Sequence, residues 1–147
     1  MATPTAQVSI VVTAPRAEVW EALTTPEMIS QYFMGAEVET DWEVGSPITF
    51  TGEWQGKRFQ DKGQVLTFEP QREVAYSHWS PLAGTDDTPD NYHVVDITLV
   101  DDAAGTMVTL TQSNLDGRVT DDDRAHREEF ERNWTGMLEG MKQLVEA

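Results

Sequence analysis

The feature that most constrains this chain is the stretch from Thr120 to Ala147. There Phe130, Trp134, Met137, Leu138, Met141, Leu144 and Val145 recur at three- and four-residue spacing. Those positions share one face of an amphipathic helix. Nearly everything between residues 36 and 115 reads as β-strand instead. A long helix after a strand-rich middle has to bury its apolar stripe against the sheet those strands form. At about 1.5 Å per residue it reaches on the order of 40 Å, enough to cross a curved sheet. That geometry leaves room for a cavity between sheet and helix.

Strand and turn signals fill in the order. Val8 to Val12 is β-branched and reads as a first strand, following a polar tail over residues 1–6 that is expected to be disordered. Pro15 opens a helix through about Leu23, and Thr25-Pro26-Glu27 opens a second that ends at Gly35. Six strands follow: Ala36–Thr40, Ile48–Trp54, Asp61–Phe68, Val74–Ser80, a segment running from about Tyr92 to Leu99, and a last one holding Val108, Leu110 and Gln112 on one face. Pro81–Asn91 reads as an exposed loop, and Gly52, Gly56 and Gly63 as hairpin glycines. The result is an α+β order of one strand, two helices, six strands and one helix, with turns tight enough for an antiparallel meander.

Composition narrows the function. With 147 residues the chain is expected to form one domain over 7–147. Its 26 acidic and 10 basic residues give a formal charge of −16. Such a chain repels nucleic acid and anionic membrane, and Lys57, Arg58 and Lys62 read as a solvated hairpin. Without cysteine there is no disulfide, thiolate metal site or thiol nucleophile. Met1–Gln7 lacks the pattern of a secretory signal and no apolar run approaches the roughly 20 residues a membrane helix needs. The expectation is a soluble, cytoplasmic protein.

Chemistry-bearing residues are few. His78 shares a strand face with Val74 and Tyr76, His93 with Val95, Ile97 and Leu99, and His126 lies one helical turn before Phe130 on the inner side. A one-residue slip in register would turn either strand histidine outward, and no pair has metal-ligand spacing. Satisfied polar residues at a cavity rim or surface are the favoured reading. The carboxylates of Asp61, Glu69, Glu73 and Asp96 are scattered along the strands, and Glu53 reads as solvated. Asp121, Asp122 and Asp123 read as a capping device for the last helix. No nucleophile elbow, phosphate loop or dinucleotide fingerprint is present, and no cofactor is expected. Aromatic residues and methionines, Met34 among them, are numerous, and some of them must line any space left under the helix.

One pattern of residues is specific enough to resemble a known group: Ala14 to Thr24, Thr40 to Ser46, Gly63-Gln64-Val65, Pro70, Tyr76 to Pro81, and Asn133-Trp134 with Leu138 and Leu144. Across residues 7–146 the chain resembles the START-like (SRPBCC) superfamily, within it the group related to the C-terminal domain of the activator of the heat-shock-ninety chaperone ATPase. The resemblance implies the helix-grip fold of the birch-pollen allergen, a seven-stranded antiparallel sheet wrapped around the last helix with a cavity between. Members of the superfamily bind lipids, sterols, hormones or polyketides; some are cyclases and one group acts as co-chaperone. The co-chaperone's separate N-terminal domain is absent from this sequence, and no cyclase active-site pattern carries over.

The leading expectation is therefore non-enzymatic binding of a small apolar or aromatic ligand. The candidate cavity lining is Phe33, Phe50, Trp54, Tyr76, His78, His93, Ile97, Leu110, Gln112, Phe130, Trp134, Met137 and Met141, with the histidines and Gln112 orienting polar ligand groups. A stress-related module whose acidic surface meets a chaperone is the second reading. A polyketide cyclase-like enzyme using His78 or His93 is the third.

Overall fold

A computed structural model describes residues 4–33, 35–81 and 84–147, with Trp54 described in its backbone only; Met34 lies outside the described residues. The strands are β1 (Pro4–Val12), β2 (Glu37–Glu39), β3 (Pro47–Trp54), β4 (Lys57–Glu69), β5 (Glu73–His78), β6 (His93–Asp102) and β7 (Gly105–Asn114). The helices are α1 (Arg16–Thr24), α2 (Pro26–Tyr32), α3 (Asp121–Ala125) and α4 (Arg127–Glu146). All seven strands join one antiparallel sheet in the order β1-β7-β6-β5-β4-β3-β2. Each strand from β2 to β7 pairs with its neighbour in sequence, and β1 closes on β7. This is the helix-grip arrangement.

The first strand begins at Pro4, ahead of Val8, and Thr5 and Ala6 are buried. Of the expected tail, residues 4–6 are thus strand, held by pairing with β7 from Ser113 onward. The expected single final helix is two: α3 ends at His126 and α4 runs 20 residues, about 30 Å. Thr120 and Asp123 form a reciprocal capping box, and Asp123 is also drawn inward by the Asn114 side-chain amide at 2.8 Å. The first turn is therefore tied to the end of β7.

α4 packs against β1, α1 and α2. One long edge of β1 is unpaired in the sheet, and side chains of α4 serve it. Glu131 accepts from the Gln7 N–H at 2.9 Å, Lys142 donates to the Val11 carbonyl at 2.8 Å, and Glu146 accepts from the Thr13 N–H at 2.8 Å. Beneath the helix, Leu138 and Met141 join Val12, Val19, Ile48, Val65, Val95, Val108 and Leu110 in one buried cluster.

Gly63 is not a hairpin glycine. It sits within β4, where any Cβ would run into the Ser77 carbonyl. That close approach, with the Gln64 N–H donating to Ser77 Oγ at 2.9 Å and a bulge between Val65 and Thr67, bends β4 against β5. Beyond the bend, Lys62 and Trp79 exchange both backbone hydrogen bonds.

Candidate functional site

Two cavities open on either side of Phe130, at the α2 and α3 end of α4. The first, of about 340 Å³, lies between α2 and the first half of α4. Tyr32 and Phe33 form one wall, Phe130, Asn133, Trp134, Gly136 and Met137 the other, and Gln112 of β7 the floor. Phe33 stacks toward Trp134 at a ring separation of 6.5 Å. The polar atoms of Trp134, Gln112 and Tyr32 are engaged with protein partners. The Trp134 indole N–H donates to Gln112 Oε1 at 2.7 Å, and Gln112 Nε2 donates to Thr5 Oγ1 at 3.1 Å. Tyr32 donates its hydroxyl to the Ala22 carbonyl at 2.8 Å, and burial, reinforced by Tyr76, keeps that hydroxyl protonated far above its ordinary range. With those groups paired internally, the cavity offers a mainly apolar surface, with the Asn133 amide on its wall.

The second cavity is a polar cleft of about 620 Å³. All three histidines line it, brought there by separate elements. His78 ends β5 and pairs in register with His93 at the start of β6, which in turn pairs with Asn114 at the end of β7. His126, at the α3–α4 junction, closes the other side with its ring 6.2 Å from that of Phe130. Trp79, Thr85, Asp90 and Asn91 come from β5's continuation and the loop after it, and Asp122, Asp123 and Glu129 from the helices. The loop is tethered by Lys62 to Asp87, by the Tyr92 hydroxyl to Asp87 at 2.6 Å, and by stacking of Trp79 on Tyr92.

Asp61, expected to be one of the scattered strand carboxylates, points inward in phase with Phe59 and Val65 and is 7% exposed. Its Oδ2 lies 2.8 Å from His78 Nε2, while Oδ1 is buried without a hydrogen-bond partner. An aspartate bound to one ring nitrogen fixes the orientation of the imidazole and leaves the other nitrogen to act on a ligand. Burial holds His93 below the ordinary histidine range, and charge on His78 lowers it further against a smaller opposing effect of Asp123. His126 is shifted the other way, first by its hydrogen bond to the Asp122 carbonyl and then by the Asp122 charge. At Asp123 burial acts to raise the carboxyl, but hydrogen bonds from Thr120 and Asn114 outweigh it and the group stays below the usual range.

The thirteen residues singled out from sequence therefore separate into groups. Phe33, Gln112, Phe130, Trp134 and Met137 surround the apolar cavity, and His78, His93 and again Phe130 the polar cleft. Phe50, Tyr76 and Ile97 border only a gap of about 20 Å³, room for one water at most. Rings run through this region in series, Phe33 to Phe50 at 5.5 Å, then Phe50 to Tyr76 at 5.4 Å and to His78 at 5.7 Å. Leu110 and Met141 are wholly buried in the core. Trp54 ends β3, and its side chain lies outside the described residues. Outside those thirteen, Tyr32, Asn133, Gly136, Asn114 and Asp123 border the two cavities and Asp61 backs His78. Of these only Asp61 carried a readable signal, its even spacing from Phe59 and Val65. Among the described residues, no group of three or more His, Asp or Glu side chains is placed to hold a metal ion, and no helix is long and apolar enough to cross a membrane.

Comparisons with other proteins bear on this architecture. No curated protein matches the chain. The solution structure of ChR145 from Cytophaga hutchinsonii is 47% identical, with a TM-score of 0.78 over 96% of this chain and 92% of that one. MLL2253 from Mesorhizobium loti is 23% identical, TM-score 0.74, over 95% of both chains. DynU16, from the dynemicin biosynthetic locus, is 21% identical, TM-score 0.75, over 97% of this chain and 47% of that one. The latter two likenesses speak for the fold alone. The family described as activator of Hsp90 ATPase homolog 1-like protein matches residues 13–146, and with that match and the helix-grip sheet the chain belongs to this family of the START-like superfamily.

Proposed function

We propose that this chain binds a small apolar or aromatic molecule in the cavity between α2 and the first half of α4. The observation that carries the reading is the contrast in packing along one helix. A 340 Å³ space walled by Tyr32, Phe33, Phe130, Trp134 and Met137 sits beside a core whose remaining gap is about 20 Å³. That volume lies within the range of small-molecule sites, and Met137 supplies an adaptable wall. Family membership supports ligand binding in general terms. An amide-shift titration with fatty acids, sterols, flavonoids and aromatic polyketides tests it. Saturable shifts centred on Phe33, Gln112, Trp134 and Met137 are expected; silence toward every class would overturn the reading.

The Asp61–His78 hydrogen bond favours a second reading, an enzyme in which His78 handles a proton of the bound molecule. Its test is turnover of an aromatic polyketide that is lost in His78→Gln. Binding without turnover would leave the first reading alone.

A further inference from the structure

The polar cleft has a chemical bias that the apolar cavity lacks. Four carboxylates line it, Asp90, Asp122, Asp123 and Glu129, and none of its described lining residues is lysine or arginine. His126 is shifted toward its charged form and already lies 3.4 Å from Asp122, and His78 is held 2.8 Å from Asp61. Burial holds His93 below the ordinary histidine range.

A second observation concerns Asn114, which is 9% exposed and lines the same cleft. Its amide nitrogen donates to the Arg118 carbonyl at 2.7 Å and to Asp123 Oδ2 at 2.8 Å. Both partners can only accept, so the orientation of the amide is decided and both of its hydrogens are used. What Asn114 has left for a ligand is its carbonyl oxygen. The Asn114 oxygen and the carboxylates together make a site rich in acceptors, and Phe130 adds an aromatic wall able to meet a cation; the Trp79 ring already holds the Lys62 ammonium at 5.8 Å.

Gln112 and Asn114 are two residues apart on the same face of β7, so the floors of the two cavities are about 7 Å from each other. Phe130 belongs to both. We propose that the polar cleft receives the protonated amine end of an amphipathic ligand whose apolar body occupies the neighbouring cavity. This rests on the binding reading above and narrows it to organic ammonium ions carrying an aromatic or apolar group. The carboxylates stand on separate elements around the cleft instead of converging on one point, which suits an ion of that size.

Three near-isosteric probes test it: phenethylamine, phenethyl alcohol and phenylpropionate, each titrated by amide shifts at low and high salt. Phenethylamine is expected to bind at least about tenfold more tightly than the alcohol at low salt, with shifts at His93, Asn114 and Glu129 as well as Trp134. Phenylpropionate should be the weakest. Added salt should reduce the amine's advantage and leave the alcohol unchanged. Replacing exposed charges in Asp122→Asn/Glu129→Gln should bring the advantage down to about threefold or less.

Equal affinity for amine and alcohol, or tighter binding of the carboxylate, would overturn this inference while leaving the apolar cavity a binding site. Unsaturable amine shifts spread over the whole acidic surface would overturn it as well. Failure of all three probes to shift Phe33, Trp134 or Met137 would count against the binding reading itself.

Discussion

The two halves of α4 meet the rest of the protein differently. Toward its C-terminus, Leu138 and Met141 are buried against α1 and the sheet, and side chains of Lys142 and Glu146 pair with the edge of β1. Toward its N-terminus, Phe130, Trp134 and Met137 are only partly buried and face open space on two sides. The C-terminal half is packed into the core, whereas the N-terminal half, held by Glu131 to Gln7 and by Trp134 to Gln112, leaves a cavity beside it. The apolar stripe is continuous along the sequence, so amphipathicity alone does not tell a packing surface from a binding wall.

Substitutions can break this contrast. Met141→Ala should cost about 3 kcal/mol in denaturant unfolding, through lost burial and a new void, and leave affinity for cavity ligands unchanged where the protein is still folded. A loss of affinity instead would mean that the packed half takes part in binding. Trp134→Phe should cost less, about 1 to 2 kcal/mol, because Gln112 Oε1 loses its indole partner. That variant should also change ligand affinity, which Met141→Ala should not.

The outward face of the sheet supplies a polar comparison to the histidine cleft. Asp96 is pushed up to about 7, by burial first and then by hydrogen bonding with Glu73 and its charge, and its Oδ1 is buried and unpartnered. In the unfolded chain the same carboxyl titrates near its ordinary value of about 4. Between those values the folded form holds more protons, so this group's contribution to stability falls as pH rises from about 4 through 7. Asp96→Asn should therefore stabilise by on the order of 1 kcal/mol at pH 8, discounted for the half-exposed site, and the gain should vanish at pH 4. Thermal unfolding of both proteins across that window checks the sign. The smallest effect is at Gly136, where an added Cβ meets no atom within 4 Å. Gly136→Ala should stabilise by about 0.5 to 1 kcal/mol through helix propensity.

Periodicity made much of this readable. Strand alternation and helical spacing carried the element order, and the residue pattern from Ala14 to Leu144 carried the fold. Features that depend on distant partners were not readable. Asp61 occupies an inward strand position, but a charged residue there reads as solvated until His78, seventeen positions on, is known to lie against it. Gly63 looks the same in sequence whether it turns a hairpin or lets the Ser77 carbonyl approach. The break at His126 leaves the apolar spacing of the helix undisturbed, and the hydrogen bond that ties Asp123 to Asn114 comes from another strand. For the strand histidines, a one-residue slip in phase would reverse the face, and the pairing of His78 with His93 and His93 with Asn114 brings both to the cleft that His126 closes from the helices.

The claim that the open half of α4 is a ligand site is tested most directly by filling it. Gly136 faces the apolar cavity with free space around it, so Gly136→Phe can occupy the site without disturbing the core. The measurement is the amide-shift titration with the ligand panel on wild type and Gly136→Phe side by side. The account predicts saturable shifts around Phe33, Trp134 and Met137 in wild type and their loss in a variant that unfolds at no lower temperature. Unchanged affinity in the filled variant, or no binding by wild type, would contradict it.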